Sequence, residues 1–179
     1  MDVLVISGTP RMEGETRKVA KAVLEALRAQ YPHLTAELYD LAVQPLPQFG
    51  YTQSAEGTAL VDGFVQKVRS ARALVLCSPE YHHSLSGCMK NALDHVGGSA
   101  TRGKVAAIVS VGGSFGGIHA ALALRSVCDG LRLWVTPALC SVALDDRGAE
   151  AALADPRIQA RASEVLQQLV QGMEHRVTG

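Results

Sequence analysis

Short apolar runs alternate with amphipathic stretches along the whole chain. Residues 3–6 are continuously apolar, the pattern of a strand buried on both faces. Val19, Ala22, Val23, Ala26 and Leu27 then recur at helical spacing, while Arg17, Lys18, Lys21, Glu25 and Arg28 fall on the opposite side, which predicts an amphipathic helix. A weaker strand follows at 35–39. Leu60, Val61, Phe64, Val65 and Val68 repeat the helical stripe before a strand at 73–77. Leu85, Met89, Ala92, Leu93 and Val96 predict a third helix, residues 104–111 a strand, 117–130 a helix and 133–142 a fifth strand. Ile158, Ala162, Val165, Leu166, Leu169, Val170 and Met173 mark the closing helix.

Strict β–α alternation predicts an α/β fold with a mostly parallel sheet covered on both faces. Right-handed crossovers leave few topologies, and a five-stranded doubly wound sheet of order 2-1-3-4-5 fits the length. At 179 residues and 47% hydrophobic, one domain spanning residues 1–179 is expected. The connection 42–58, with two prolines and two glycines, is long enough to be functional or to meet a partner; a surface excursion is the plain alternative.

Charge narrows the classes. Seventeen basic residues balance seventeen acidic ones, with no like-charge block, so nothing favours nucleic acid or a membrane surface as partner. Cys77, Cys88, Cys128 and Cys140 show neither CxxC nor zinc spacing, which predicts reduced thiols and a cytoplasmic protein. The first strand begins too early for a signal peptide to precede it, and no apolar run reaches membrane-spanning length.

In such a sheet, ligands sit beyond the carboxyl ends of the strands near the switch in strand order. Three loops belong there. SGTPRMEGET (7–16) offers hydroxyls at Ser7, Thr9 and Thr16, glycines at 8 and 14, Arg11, and Arg17 just beyond. It is either an ordinary strand–helix turn or an anion cradle at a helix start; it is neither the P-loop nor the GxGxxG fingerprint. SPEYHHSLSG (78–87) sets a Tyr and two His beside a stiffening proline. Adjacent histidines diverge, so no metal is expected at His82–His83. Lys90 and Asp94 form an i,i+4 pair on the following helix. SVGGSFGG (110–117) carries four glycines in six residues, suited to close approach of a ligand or to a plain turn.

Together these loops resemble the NADPH-dependent FMN reductase family of flavodoxin-like proteins, which includes azobenzene, quinone and chromate reductases. Gly8, Thr9, Arg11, Gly14 and Thr16 match its first motif. Pro79, Glu80, Tyr81, Ser84, Gly87, Lys90, Asn91 and Asp94 match its second, and Gly112–Gly113 its third. The resemblance implies a flavodoxin-like three-layer sandwich binding FMN tightly, with NAD(P)H as co-substrate. Thr9, Arg11, Thr16 and Arg17, with backbone N–H groups near Gly14 and Glu15, would hold the phosphate. Pro79, Glu80, Tyr81, His82 and Ser84 would line the ribityl and ring region, with Ser110, Gly112 and Gly113 at the far edge of the ring.

It further implies ping-pong transfer to quinones, azo compounds, nitroaromatics, metal oxyanions or free flavin, with no catalytic side chain. A homodimer or homotetramer is implied, joined through the helix after Pro79–Tyr81. His82 stands where many members have Asn, and Glu13 and Glu15 place two carboxylates beside the expected phosphate, both read as facing solvent at the helix start. A flavodoxin-type electron carrier without reductase activity is the alternative; such carriers are typically acidic, and this chain is neutral.

Overall fold

The computed structural model describes residues 1–52 and 54–175. Val3, Leu4, Val5 and Ile6 are each fully buried because successive side chains leave the strand on opposite faces and both faces are covered. Val3 and Val5 join one core cluster and Leu4 and Ile6 the other. This strand is β1 (Val3–Ser7), followed by α1 (Glu15–Gln30), β2 (Ala36–Asp40), α2 (Ala55–Ser70) and β3 (Ala73–Tyr81). Next come β4 (Ser84–Leu85), α3 (Gly87–Asp94), α4 (Gly98–Thr101), β5 (Val105–Gly112) and α5 (Ile118–Gly130). The chain continues through β6 (Trp134–Val135), β7 (Cys140–Ala143), α6 (Gly148–Ala154) and α7 (Pro156–His175).

The parallel core of the sheet runs β2-β1-β3-β5, with both β6 and β7 on the far side of β5 and the small strand β4 antiparallel to β3. The helices α1, α6 and α7 cover one face, and α2 to α5 the other. The expected order therefore holds for the parallel frame, but among the described residues the sheet has seven strands rather than five. The predicted fifth strand, 133–142, is split. Pro137 has no N–H to offer a ladder; Thr136 Oγ1 instead donates to Ala138 O at 2.8 Å, and the Ala138 N–H turns to Gln168 Oε1 at 2.8 Å. Leu85, expected on a helix, lies in β4.

Two further expectations shift. The stripe predicted for α2 is fully buried only at Phe64 and Val68, Val61 and Val65 are half-buried, and Leu60 remains 43% exposed. The 42–58 connection is shorter than its sequence suggests, because α2 begins at Ala55 behind an Ser54 N-cap whose Oγ accepts from Gly57 N at 3.1 Å. Its middle is held by α3. Asn91 Oδ1 accepts from Phe49 N at 2.8 Å, its amide donates to Pro47 O at 3.0 Å, and Phe49 meets His95 edge-on. All four cysteines are unpaired, and burial pushes the thiols of Cys77, Cys128 and Cys140 up. Among the described residues no helix is long and apolar enough to cross a membrane.

The amino end of the sheet is clamped by Asp2. Its Oδ2 accepts from Thr35 N (2.9 Å) and Thr35 Oγ1 (2.7 Å), and its Oδ1 from Arg72 at 2.9 Å. The Thr35 bonds, joined by Arg72 and outweighing partial burial, lower the carboxyl from 3.8 to about 2. A lowered carboxyl stabilises the fold fully above its unfolded value and ceases to do so as pH falls through the folded value. Melting temperature should therefore fall between about pH 4 and pH 2, and Asp2→Asn should flatten that limb; an unchanged acid limb would show that the clamp contributes nothing.

Candidate functional site

The carboxyl end of β1 is sealed from below by α3. Ser86, the N-cap of α3, accepts from Met89 N at 3.1 Å and donates to Gly8 O at 2.5 Å, so the second loop anchors the first. Beyond Gly8 the chain curls. Thr9 Oγ1 accepts from Arg11 N at 3.3 Å, and Gly14 N donates to Arg11 O at 3.1 Å. A Cβ on Gly14 would lie 3.0 Å from both Arg11 O and Thr9 Oγ1, so glycine lets the curl close. The helix α1 then starts at Glu15 with no side-chain cap. Among the described residues its first N–H groups, on Glu15 and Thr16, have no hydrogen-bond partner, and neither does the Thr16 hydroxyl.

This loop is one wall of a cleft of about 380 Å³. Thr9, Arg11, Gly14, Glu15 and Thr16 line it from the first loop, Pro79, Glu80 and Tyr81 from the second, and Gly112 and Gly113 from the third. Ten of the fourteen residues expected at a ligand site thus converge from segments some seventy and a hundred positions apart. Glu13, Val111 and Leu144 line it as well. Leu144 was beyond sequence reasoning, because it arrives only when β7 pairs with β5 and its N–H bonds Gly112 O at 2.8 Å.

Four expected residues do not line the cleft, and each has another task. Arg17 Nε bonds Asp40 Oδ2 at 2.5 Å and its Nη1 bonds Met12 O at 3.0 Å, pinning the loop to the end of β2. Ser110 Oγ donates to Gly116 O at 3.0 Å and meets Ser141 Oγ at 3.1 Å, holding the glycine loop folded. His82, with His83, forms the two-residue turn between β3 and β4, and Ser84 pairs with Tyr81 across it. Both histidines have positive φ, 50° and 61°, the geometry of a type I′ hairpin turn that ordinarily favours Asn and Gly.

The two acidic residues differ. Glu13 is exposed on the rim. Glu15 does not simply face solvent: it accepts from the Ala149 N–H at the start of α6 and pairs with Lys18 at 3.0 Å. The Ala149 bond and Lys18 hold its carboxyl below the usual range, so its charge is already balanced. Glu80, though lining the cleft, spends Oε2 on the N–H groups of His119 (2.8 Å) and Ala120 (3.1 Å) at the start of α5. Burial works against its charge, but those donors prevail and lower it.

What is left in the cleft is a cradle for an anion. Arg11 makes no ion pair among the described residues, and its guanidinium lies 5.9 Å from the centre of the Tyr81 ring. A free guanidinium, a free hydroxyl and unpaired N–H groups at a helix start recognise a phosphate monoester. Pro79, Tyr81 and two glycines offer a flat, mostly uncharged wall beside it, so these residues fit FMN. A larger cavity, about 860 Å³, adjoins at Leu144, but its arginines, Arg147 and Arg157, are paired with Asp145 and Asp155 at 2.5 and 2.8 Å. Both cations lining it are therefore already committed.

Proteins similar to this chain in sequence and in fold are known among NAD(P)H-dependent reductases. An NADPH azoreductase of Bacillus sp. (strain OY1-2) is 40% identical over 121 residues, 67% of this chain and 64% of that protein. An NADPH:quinone oxidoreductase of Arabidopsis thaliana is 33% identical over 129 residues, 70% and 65% of the two chains. The aligned part of the chain therefore spans just under two thirds of these relatives. The flavoenzyme NAD(P)H:(acceptor) oxidoreductase FerB of Paracoccus denitrificans superposes with a TM-score of 0.79 over 98% of both chains at 19% identity, which establishes the flavodoxin-like fold. The family model of NADPH-dependent FMN reductases matches residues 1–146, and the chain belongs to that family.

Proposed function

We propose that this protein is an FMN-dependent NAD(P)H oxidoreductase that reduces small acceptors of the quinone and azo classes. The observation that carries this reading is the cradle at the start of α1, where Arg11 without an ion pair, the Thr16 hydroxyl and two N–H groups without hydrogen-bond partners converge among the described residues. Arg11 and the Thr16 hydroxyl bind the phosphate, and the Glu15 and Thr16 N–H groups complete its hydrogen bonds. Thr9 and Gly14 shape the curl that presents them. Pro79 and Tyr81 on one side and Gly112 and Gly113 on the other orient the ring, the glycines because bare backbone allows close approach. When bound, FMN would supply the redox chemistry, hydride exchange with NAD(P)H and electron transfer to the acceptor. No side chain of this chain is required to hold or move a proton in that cycle.

Relatives named as azoreductases and quinone oxidoreductases support the acceptor class. A homodimer or homotetramer is part of the reading, and the exposed Phe49 and Phe115, 51% and 76% accessible, are apolar surface that such an assembly would cover. Four unpaired thiols fit the reducing cytoplasm.

The test is direct. Purified protein should be yellow, release FMN on extraction, bleach under anaerobic NADPH and recover colour on addition of a quinone. A colourless protein that takes up no added FMN overturns the cofactor assignment. An FMN-loaded protein that NADPH fails to bleach overturns the reductase assignment and leaves an electron carrier.

A further inference from the structure

No metal is expected at His82–His83 from the sequence, but tertiary folding gives His83 two other companions. Among the described residues, Glu80, His83 and His119 are the one group of three metal-ligating side chains whose donor atoms converge within 4.8 Å. His119 Nδ1 lies 3.2 Å from His83 Nδ1 and 3.2 Å from Glu80 Oε1, and His83 Nδ1 lies 3.8 Å from Glu80 Oε1. A tetrahedral ion with bonds of about 2.0–2.1 Å needs donors about 3.3–3.4 Å apart. The three separations bracket that edge length.

Each donor is also held in place. Glu80 uses Oε2 for the two α5 N–H groups, which orients the carboxylate and leaves Oε1 for the cluster. That is the supporting bond a metal-bound carboxylate ordinarily has. His119 sits on the first turn of α5, a rigid element. His83 is fixed by a turn so tight that it adopts φ 61°, a conformation that costs a non-glycine residue stability and that proteins retain where local geometry is needed. The rings of His83 and His119 stand edge to face at 88° with centroids 4.5 Å apart.

We propose that Glu80 Oε1, His83 Nδ1 and His119 Nδ1 form a three-ligand site for a divalent transition-metal ion of the zinc type, on the rim of the FMN cleft. Two imidazoles and one carboxylate suit zinc, with copper and nickel as competitors, and disfavour calcium and magnesium, which prefer all-oxygen sets. His83 is 77% exposed, so the ion enters from solvent and keeps a fourth position for water. Bound there, it joins the β3–β4 hairpin to α5 beside the cleft that Glu80 lines. The site does not depend on the proposed reductase activity.

The experiment is calorimetric titration of zinc chloride into untagged, chelator-stripped protein, as purified in its full length. One zinc should bind per chain with Kd below about 10 µM, and X-ray absorption should show nitrogen and oxygen neighbours at about 2.0–2.1 Å without sulfur. His83→Asn keeps a residue that accepts positive φ and His119→Gln keeps the helix. Each should weaken zinc binding by about 100-fold or more, beyond the loss typical of outer-shell changes, with an unchanged circular dichroism spectrum. Absence of binding to the unaltered chain, undiminished binding in either folded variant, or a sulfur neighbour that places the ion at Cys88 would each overturn the site.

Discussion

Arg11→Ala should weaken FMN binding by about 10- to 150-fold, the equivalent of about 1.5–3 kcal/mol for a hydrogen bond to a charged group, and leave the melting temperature of the FMN-free protein unchanged. Arg11 is exposed, has no ion pair among the described residues and lines the cleft, so its removal costs the fold nothing while the phosphate loses its counter-charge. Arg17→Ala should do the opposite. That guanidinium is tied to Asp40 and Met12, and cutting it loosens the loop, which registers first as a lower melting temperature. Glu13→Ala should change FMN affinity by no more than about threefold, since an exposed rim charge interacts weakly through solvent. Fluorescence titration of the stripped protein with FMN measures all three. Equal losses for Arg11→Ala and Glu13→Ala would mean the loop is no phosphate cradle. A loss for Arg17→Ala as large as that for Arg11→Ala, at unchanged melting temperature, would move the counter-charge to Arg17.

Gly112→Ala should both destabilise the protein, by about 1–3 kcal/mol, and abolish retention of FMN through purification. A Cβ there would stand 2.6 Å from Gly117 N and 2.9 Å from Gly117 Cα. These are backbone atoms, and Gly117 is itself fixed at φ 77° against Val111, so no side chain can swing aside. The only relief is displacement of the 113–117 loop, which forms one edge of the cleft and is tied down by Ser110. Gly113→Ala is the control. It meets nothing within 4 Å and has no positive φ, so its unfolding free energy should stay within about 0.5 kcal/mol of the parent. Scanning calorimetry of the FMN-free variants distinguishes the two, and the flavin-to-protein absorbance ratio reads FMN retention in Gly112→Ala. Identical behaviour of both variants would refute the steric account.

Much of the frame was readable because its causes are local. The buried run 3–6 and the stripes on α1 and α7 state their own periods, and alternation of the two periods leaves few sheet topologies. The first loop was readable for a related reason: a hydroxyl, a glycine and a helix start within ten residues bring N–H donors together locally, although whether they stay free is decided elsewhere. Where local pattern failed, a distant group had intervened. Leu85 reads as helical by spacing, yet the His82–His83 turn folds it back onto β3. Residues 133–142 read as one strand, yet Gln168 on α7 captures an N–H beside Pro137. Arg11 and Arg17 look equivalent in sequence, and only the position of Asp40 at the end of β2 separates a free cation from a committed one.

Glu80 shows the same division most fully. As part of a Pro-Glu-Tyr motif it reads as a ligand residue of the cleft; in the folded chain one of its oxygens caps α5 and the other faces two histidines, one of them 39 positions away. Periodicity and turn chemistry are properties of neighbours along the chain, so composition and spacing carry the three layers, the strand order of the parallel frame and the location of the cleft. Which polar atoms remain free inside that cleft depends on partners that meet through space. Hydrogen-bond competition among residues far apart in the sequence decides it, and that competition is settled only when the sheet has closed.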